Sequence, residues 1–538
     1  VIIHELMTDP EPVVGLPDAE YIELRNRGSE IQVLRGWKIH DGKTECVIDE
    51  EMALAPGELV VLCRQADVLK FRAARVVGLK RWPSLTKATG TLMLFSAEGL
   101  LIHSVSYSEE WYRNAAKQRG GWSLEMVDAM SACVGDKNWM ASVDLSGGTP
   151  GAPNSVEAAN ADRNAPKPLN AYMIARDSVL IHLDEMVDSS SAATTGAFEF
   201  ENDAMKVLRA SVLYPDFRRI LLHVDREPSE NEIYMLRMNG VADCAGNTIQ
   251  QHNTVKLGIA SIPEVNDVII NEVLFDPPAG GFDYVELYNR SEKIIDARQL
   301  FIEGDAAGTE TPVTKDTLLV FPGEYIVVTQ NSDWVKRHYG TGEQMLVLQI
   351  PNLPGMPDDE GVLAVRHIND ELIDSIRFSK DWHHPLISNR SGVALERISP
   401  SITGRERSNW ASASFTSGYG TPGRQNSNYE VTGSGQSAFA AKRNVVTPDN
   451  DGIDDRLLIE YSFAEVGTTA NVCIYNLQGR VVRRLLRTAI MERQGTIICE
   501  PVDDNNKILE TGIYVLFAEV FGTTGKTKRY KQAFTVVR

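Results

Sequence analysis

The residues with the plainest chemistry lie late in the chain. There, Asp449-Asn450-Asp451-Gly452-Ile453-Asp454-Asp455 sets four carboxylates and one side-chain amide within seven positions. Hard cations such as calcium take roughly six to eight oxygens from a short flexible loop, with glycine where the chain bends sharply. Asp449, Asn450, Asp451, Asp454 and Asp455 are therefore the candidate metal ligands, and calcium is the candidate ion. The bidentate glutamate that closes an EF-hand loop is missing, and an Asx-rich turn that needs no ion is the alternative. A second acidic set occurs twice, as Glu5, Asp9 and Glu23 and again as Glu272, Asp276 and Glu286. Carboxylate clusters can bind metal or act as acid and base. Here the Asp-Pro steps favour turns and the glutamates sit in alternating strand patterns, so hydrogen bonding to neighbouring backbone is the simpler expectation. The ten histidines show no metal-ligand spacing. His383 and His384 are adjacent and would point to opposite faces of an extended segment, which favours packing in a loop. No Gly-x-Ser-x-Gly, His-Glu-x-x-His or P-loop pattern is present. The expectation is a chain without catalytic residues.

The elements that position these residues follow from an internal repeat. Val1–Asn26 reads VIIHELMTDPEPVVGLPDAEYIELRN, and Val268–Asn289 reads VIINEVLFDPPAGGFDYVELYN. The match continues far downstream: Pro56-Gly57-Glu58 with Pro322-Gly323-Glu324, Ser123-Leu124-Glu125 with Ala394-Leu395-Glu396, Asn138-Trp139 with Asn409-Trp410, and Gly148-Thr149-Pro150-Gly151 with Gly420-Thr421-Pro422-Gly423. The near-constant offset marks a duplicated domain. Short runs of alternating and wholly apolar residues, such as Leu59-Val60-Val61-Leu62 and Tyr325-Ile326-Val327-Val328, are punctuated by Gly, Pro, Asn and Asp. That is the pattern of a β-sandwich. One short helix is expected in each copy, near Ala66–Ala74 and Ser332–Tyr339.

These residues resemble the lamin-tail domain as it occurs in bacterial surface proteins. That family opens with an Ile-Asn-Glu strand and a Tyr-Ile-Glu-Leu-Tyr-Asn strand, and ends with Ser-Leu-Glu-Arg, Asn-Trp and Gly-Thr-Pro-Gly. The second copy carries nearly all of this, including Leu395-Glu396-Arg397. The first departs at His4 for Asn and Met126 for Arg. Its Trp37 fits the family's Gly-Trp, where the second copy has Leu300-Phe301. The resemblance implies a sandwich that serves as an accessory in proteins of many kinds. Between the copies, Asp243-Cys244-Ala245-Gly246-Asn247 resembles the Asp-x-x-Gly-Asn turn of bacterial Ig-like modules in surface-layer and adhesin proteins. The last segment, with Tyr475-Asn476-Leu477-Gln478-Gly479-Arg480 and Gly512-Ile513-Tyr514, resembles the Ig-like fold of flagellar hook-capping proteins and of the C-terminal domains of Bacteroidetes secreted proteins. The usual Trp-Asp-Gly is replaced there by Cys499-Glu500-Pro501.

The expected architecture is all-β, with four tandem β-sandwich (Ig-like) domains: residues 1–160 and 266–428 lamin-tail-like, 165–262 a bacterial Ig-like module, and 442–538 a C-terminal Ig-like domain. Asp162–Pro168 and Asn426–Phe439 read as linkers. Net charge is −19, and it is uneven, because Ala441–Arg538 holds 14 Lys and Arg against 12 Asp and Glu. The remaining 440 residues therefore carry −21, a surface that repels a phosphate backbone, so no nucleic-acid partner is expected. No apolar run of about 18 residues occurs, so no membrane-spanning helix is expected. The chain opens directly on a strand without an initiating Met, which suggests that a targeting segment was removed. Six cysteines are too few for a disulfide scaffold. Cys473 and Cys499 lie in strand-like runs, where a cross-strand bridge and two free core thiols are both open. The expected function is a non-catalytic structural or interaction protein, exported to the periplasm, outer membrane or cell surface, with envelope or surface proteins as partners. It fits a subunit of a secretion or outer-membrane assembly. The alternatives are a glycan-binding, adhesin-like module using exposed aromatics such as Trp111, Tyr112 and Trp382, and accessory domains of a secreted hydrolase.

Overall fold

A computed structural model describes the 538-residue chain except for residues 72–74, 133–134, 161, 244, 306–309, 341–344, 431–436, 450 and 452. Strands dominate, and the sheets pair face to face around four separate apolar cores, so the chain is a series of tandem β-sandwiches. Two compact units, Val1–Ile259 and Ala260–Arg538, each hold two of these sandwiches.

In the first sandwich the principal sheet uses β1 (Ile2–Met7), β2 (Tyr21–Arg25), β3 (Leu59–Arg64), β4 (Val76–Leu79), β5 (Leu124–Met126) and β6 (Trp139–Ala141), in the order β6-β5-β1-β2-β3-β4. The third sandwich has β7 (Val268–Leu274), β8 (Tyr284–Asn289), β9 (Tyr325–Thr329), β10 (Val347–Gln349), β11 (Leu395–Arg397) and β12 (Trp410–Ser412), in the order β12-β11-β7-β8-β9-β10. The two orders are the same. So is the detail: β1 and β7 each carry a bulge, between Ile3 and Glu5 and between Ile270 and Glu272, and β3-β4 and β9-β10 are the parallel pairs. Trp139 pairs with Met126, and Trp410 with Arg397. The two tryptophans occupy equivalent buried places, 1 % and 4 % exposed.

Every residue of β1 and β7 is buried. A sandwich strand with one wet face would alternate, so unbroken burial means that both faces of the sheet are covered. One face packs on the core, through Leu6, Ile22, Leu24 and Leu124 in the first copy and Val273, Val285, Leu287 and Leu395 in the second. The other face is covered in part by a short helix. In the second copy this is Ser332–Tyr339, capped by the Asn331 side chain accepting from Trp334 N and ended by Gly340 at φ 60°; its Val335 and Tyr339 pack on Leu274, Tyr284 and Val327. In the first copy the expected helix over Ala66–Ala74 is a 3₁₀ segment, Gln65–Lys70, and residues 72–74 lie outside the described residues.

The second sandwich pairs a four-stranded sheet (Pro168–Ala175, Ser178–Leu183, Arg219–Val224, Val207–Leu213) with a three-stranded one (Phe198–Phe200, Tyr234–Met238, Thr254–Leu257). The fourth pairs a three-stranded sheet, Ala438–Ala441, β13 (Leu457–Ser462) and β14 (Gln494–Cys499), with a five-stranded one that includes β15 (Thr469–Asn476 in sequence, between β13 and β14). Ala438–Ala441 overlaps the stretch expected as linker and lies before residue 442, yet it pairs with β13. Cys473 on β15 and Cys499 on β14 belong to different sheets, and both thiols are free. The cross-strand bridge is thereby ruled out, because the two runs never neighbour each other.

Candidate functional site

The structure turns the repeated acidic residues into one buried arrangement per copy. On β1, β2 and β5 the register places Glu5 opposite Glu23 on one side and opposite Glu125 on the other. On β7, β8 and β11 it places Glu272 opposite Glu286 and Glu396. All six are fully buried, on the sheet face away from the core. Like charges directly opposite each other on adjacent strands repel, so the arrangement persists only if protons or donors offset the charge.

Most of the donors come from the segment that leaves the sandwich. In the first copy Glu5 Oε1 accepts from Tyr21 Oη (2.7 Å), Ser123 Oγ (2.6 Å) and Thr149 N (2.8 Å). Glu23 accepts from Gly151 N at 2.6 Å, and Glu125 from Ser155 Oγ at 2.7 Å and Val156 N at 3.1 Å. In the second, Glu272 accepts from Tyr284 Oη (2.5 Å), Thr421 N (2.9 Å) and Thr421 Oγ1 (2.8 Å). Glu286 accepts from Gly423 N, and Glu396 from Ser427 Oγ (2.7 Å) and Asn428 N (3.0 Å). Asn154 and Asn426 tie the same segments down by donating to the carbonyls of Met126 and Arg397, each at 2.8 Å. Asn426, Ser427 and Asn428, which open the expected linker, are therefore structural. The glycines of Gly-Thr-Pro-Gly are needed for this approach: a Cβ at Gly148 would stand 2.5 Å from Tyr21 Oη, and one at Gly420 2.5 Å from Tyr339 Cε1. Gly151 and Gly423 take φ of 82° and 78°, open to glycine without strain.

Burial, then the neighbouring Glu23, pushes the Glu5 carboxyl up to about 8. Burial does the same to Glu23, against the Gly151 N–H that favours its charge. Burial and Glu396 push Glu272 up to about 8, and burial and Glu272 push Glu286 well above the usual range. The copies differ in their cations. Arg25 reaches His4 at 3.2 Å, His4 is 2.9 Å from Glu23, and Lys117 feels Glu125. In the second copy Asn271 replaces His4 and Tyr288 replaces Arg25. The expected hydrogen bonding to neighbouring backbone is met by Thr149 N and Thr421 N, which lie 144 and 149 positions away along the chain and come close only on folding. Asp9 stays outside the cluster and pairs with Lys87 at 2.8 Å. Glu125 and Glu396 were not singled out as acidic candidates, although the repeated Leu-Glu carried the signal.

The Asp449–Asp455 loop is brought together only in part. Asp449, Asp451 and Asp455 offer oxygens within 4.8 Å of one another, the first two exposed and the third half-buried. Asp449 accepts from Asp451 N (3.2 Å) and Asp451 from Ile453 N (2.7 Å), as Asx turns do. Asp454 stands apart from these three, with its carboxylate paired with Arg443. Asn450 and Gly452 lie outside the described residues. A second acidic group, Asp162, Glu185 and Asp243, escaped sequence reasoning because its members are far apart in the chain. Asp243 is buried and accepts from Ala245 N and Asn247 N at 2.8 Å each, and Asn247 Nδ2 reaches Asp162 O at 3.2 Å. Burial, then Asp162, Asp184 and Asp243, pushes Glu185 up to about 7. Among the described residues these are the two carboxylate groups with the spacing to hold a cation.

The aromatics expected as an exposed platform are not displayed as one. Tyr112 is buried and donates to Trp122 O at 3.1 Å; Trp111 packs against Trp139, and Trp382 against the third core. His383 is buried beside Phe275, its Nδ1 3.0 Å from Ser412 Oγ, so it serves packing.

Residues 1–109 match the family model of the Lamin Tail Domain. No curated protein matches the sequence. Among solved structures, the chain is similar to the N-terminal part of the bacterial S-layer protein SbsC, at 10 % identity and a TM-score of 0.17 over 40 % of this chain and 44 % of that one. It is similar to dimeric latent PorU from Porphyromonas gingivalis, at 10 % identity and a TM-score of 0.16 over 69 % and 32 %. It is also similar to PorZ, a bacterial surface component of the type-IX secretion system of Porphyromonas gingivalis, at 11 % identity and a TM-score of 0.16 over 84 % and 56 %. The chain thus spans less than two thirds of each of these proteins. No helix among the described residues is long and apolar enough to cross a membrane.

Proposed function

We propose that the chain is a non-catalytic structural or interaction protein of the bacterial envelope or cell surface, in which tandem sandwiches present docking surfaces to envelope proteins. One observation carries this reading. The buried glutamate set repeated in both lamin-tail-like copies is committed to holding the exit segments, with each carboxylate covered by its donors, so the duplication preserves a way of joining one sandwich to the next segment. The shared strand order, bulge and exit segment support reading the third sandwich as a second lamin-tail domain. Export to the periplasm, outer membrane or surface, and membership of a secretion or outer-membrane assembly, belong to the same proposal. The test is affinity capture of the full chain from native envelopes: a stoichiometric envelope partner supports the reading, and recovery of the chain alone counts against it. Hydrolase, nuclease and protease assays are expected to be blank with and without divalent metal. Reproducible turnover lost in Glu23→Gln or Glu286→Gln would replace the structural reading with an enzymatic one. Tyr112 is buried, and Trp111 and Trp382 are half-buried against the cores of their sandwiches, which weighs against these three as an open glycan platform.

Calcium at Asp449, Asp451 and Asp455 is the ligand proposed for the fourth sandwich. Binding only to the folded state stabilises it by about 2.7 kcal/mol when the free ion is a hundredfold above its dissociation constant. Thermal unfolding of the full chain in millimolar calcium is expected to shift the transition of this sandwich upward relative to chelator, and Asp451→Asn to abolish the shift. Coincident curves would mean that the loop is an ordinary Asx turn.

A further inference from the structure

The second copy's exit segment does more than close its own sandwich, because the fourth sandwich is docked along it. Phe415 N donates to Ile490 O (2.9 Å), Arg493 N to Ser427 O (3.1 Å), Glu492 N to Thr416 Oγ1 (3.3 Å) and Tyr461 Oη to Thr416 Oγ1 (3.3 Å). Ser427, whose carbonyl receives Arg493, is the residue whose hydroxyl donates to Glu396. Thr421–Asn428 thus touches the fourth sandwich at Ser427, and Ser414, whose N donates to Ser427 Oγ at 3.0 Å and whose hydroxyl lies 3.2 Å from Thr416 Oγ1, links it to the contacts at Phe415 and Thr416.

We propose that Glu272 and Glu286, beside Glu396 on the same buried face, form a proton-dependent latch, closed on Thr421–Asn428 when these two carboxyls carry protons and opening, together with the docked fourth sandwich, when they lose them. Among the described residues, the titratable or charged groups that face the cluster are Tyr284 on β8, Tyr325 on β9, Tyr339 on the Ser332–Tyr339 helix and Glu492 from the fourth sandwich, with Arg424 of the exit segment beside Glu492. The tyrosines remain neutral donors, since burial holds them above their ordinary range. Arg397 is turned away, on Asp374 and the carbonyls of Ile270 and Ile402. No cation on the cluster's own strands offsets three carboxylates, and ionised Glu492 adds a fourth like charge from the docking partner. The first copy differs here, since Arg25 and Lys117 face its cluster.

The direction follows from linkage. The closed state holds Glu272 and Glu286 above the value of a solvated carboxyl, so its stability is fully present below about 4.5 and is lost as pH rises through about 8 for Glu272, and Glu286, held well above its ordinary range, contributes with the same sign. Opening the segment returns both side chains to water.

Hydrogen–deuterium exchange of the full chain across pH 5.5 to 9, corrected for the intrinsic pH dependence of amide exchange, tests this. Peptides covering Thr421–Asn428 are expected to lose protection by up to about tenfold per pH unit for each proton lost. Those covering Phe415 and Arg493 are expected to follow, while the core strand Glu360–His367 does not. Glu272→Gln and Glu286→Gln, which keep a neutral side chain of the same shape, are expected to flatten the slope. Protection of Thr421–Asn428 that is independent of pH in the wild-type chain overturns the latch, as does an unchanged slope in both variants. Loss of protection confined to Thr421–Asn428, with Phe415 and Arg493 unaffected, overturns the coupling to the fourth sandwich.

Discussion

Replacing Arg397 by methionine is expected to destabilise the third sandwich by about 3–5 kcal/mol, the cost of leaving one member of a buried ion pair uncompensated. Arg397 is 1 % exposed, its Nη1 lies 2.6 Å from Asp374 Oδ2, and it also donates to Ile270 O at 3.2 Å. Asp374 Oδ2 in turn accepts from Ile270 N at 2.9 Å. The duplicated copy shows what the alternative looks like. Met126 occupies the place of Arg397, and His103 that of Asp374, with its Nδ1 accepting from Ile3 N at 3.2 Å. Burial lowers His103 to about 4, which keeps it a neutral acceptor. The double substitution Arg397→Met with Asp374→His is therefore expected to recover most of the loss, since an intact neutral set of similar volume often matches a buried ion pair. Exchange protection of Val268–Leu274 and Leu395–Arg397 measures this locally: the single variant should exchange roughly two to four orders of magnitude faster, at about 1.4 kcal/mol per decade. A double variant no better than the single one would show that the pairs are not interchangeable.

Trp410→Ala should cost about 3–5 kcal/mol in the same sandwich, from lost transfer energy and the cavity that a rigid β core cannot refill. Its ring packs into the third core, and its Nε1 donates to Gly404 O at 2.9 Å, so truncation also strands a buried carbonyl. Trp139→Ala should act alike in the first sandwich, where Trp139 also packs on Trp111 with ring centroids 6.2 Å apart. Urea unfolding followed by exchange in each sandwich separates the two. A loss under about 1 kcal/mol at either position, far below the usual aromatic-to-alanine range, would mean that the surrounding strands collapse onto the vacancy.

Much of the frame was legible in the residues, because strand alternation, glycine turns and repeat spacing are local properties. The Ile-x-Glu and Tyr-x-Glu-Leu runs, the Asn-Trp pairs and the Gly-Thr-Pro-Gly exits each announce an element that the structure contains, and their constant offset announces the duplication. The division of labour within those elements was decided elsewhere. Glu5 and Glu23 read as polar positions of half-exposed strands. They are buried because a segment more than a hundred positions later lies over that face, and no local pattern specifies what covers a sheet. Glu125 and Glu396 join them only through register, which is set when strands pair. The same reason separates Cys473 from Cys499, which look like neighbours along the chain but fall into opposite layers, and unites Asp162 with Glu185 and Asp243. It also turns Asp454 out of its loop toward Arg443. The sequence by itself determined the strands, the repeat and the paired tryptophans. Only the tertiary structure decided which carboxylates share a buried face, since burial, and the cost it puts on each charge, depends on chain segments brought together by folding.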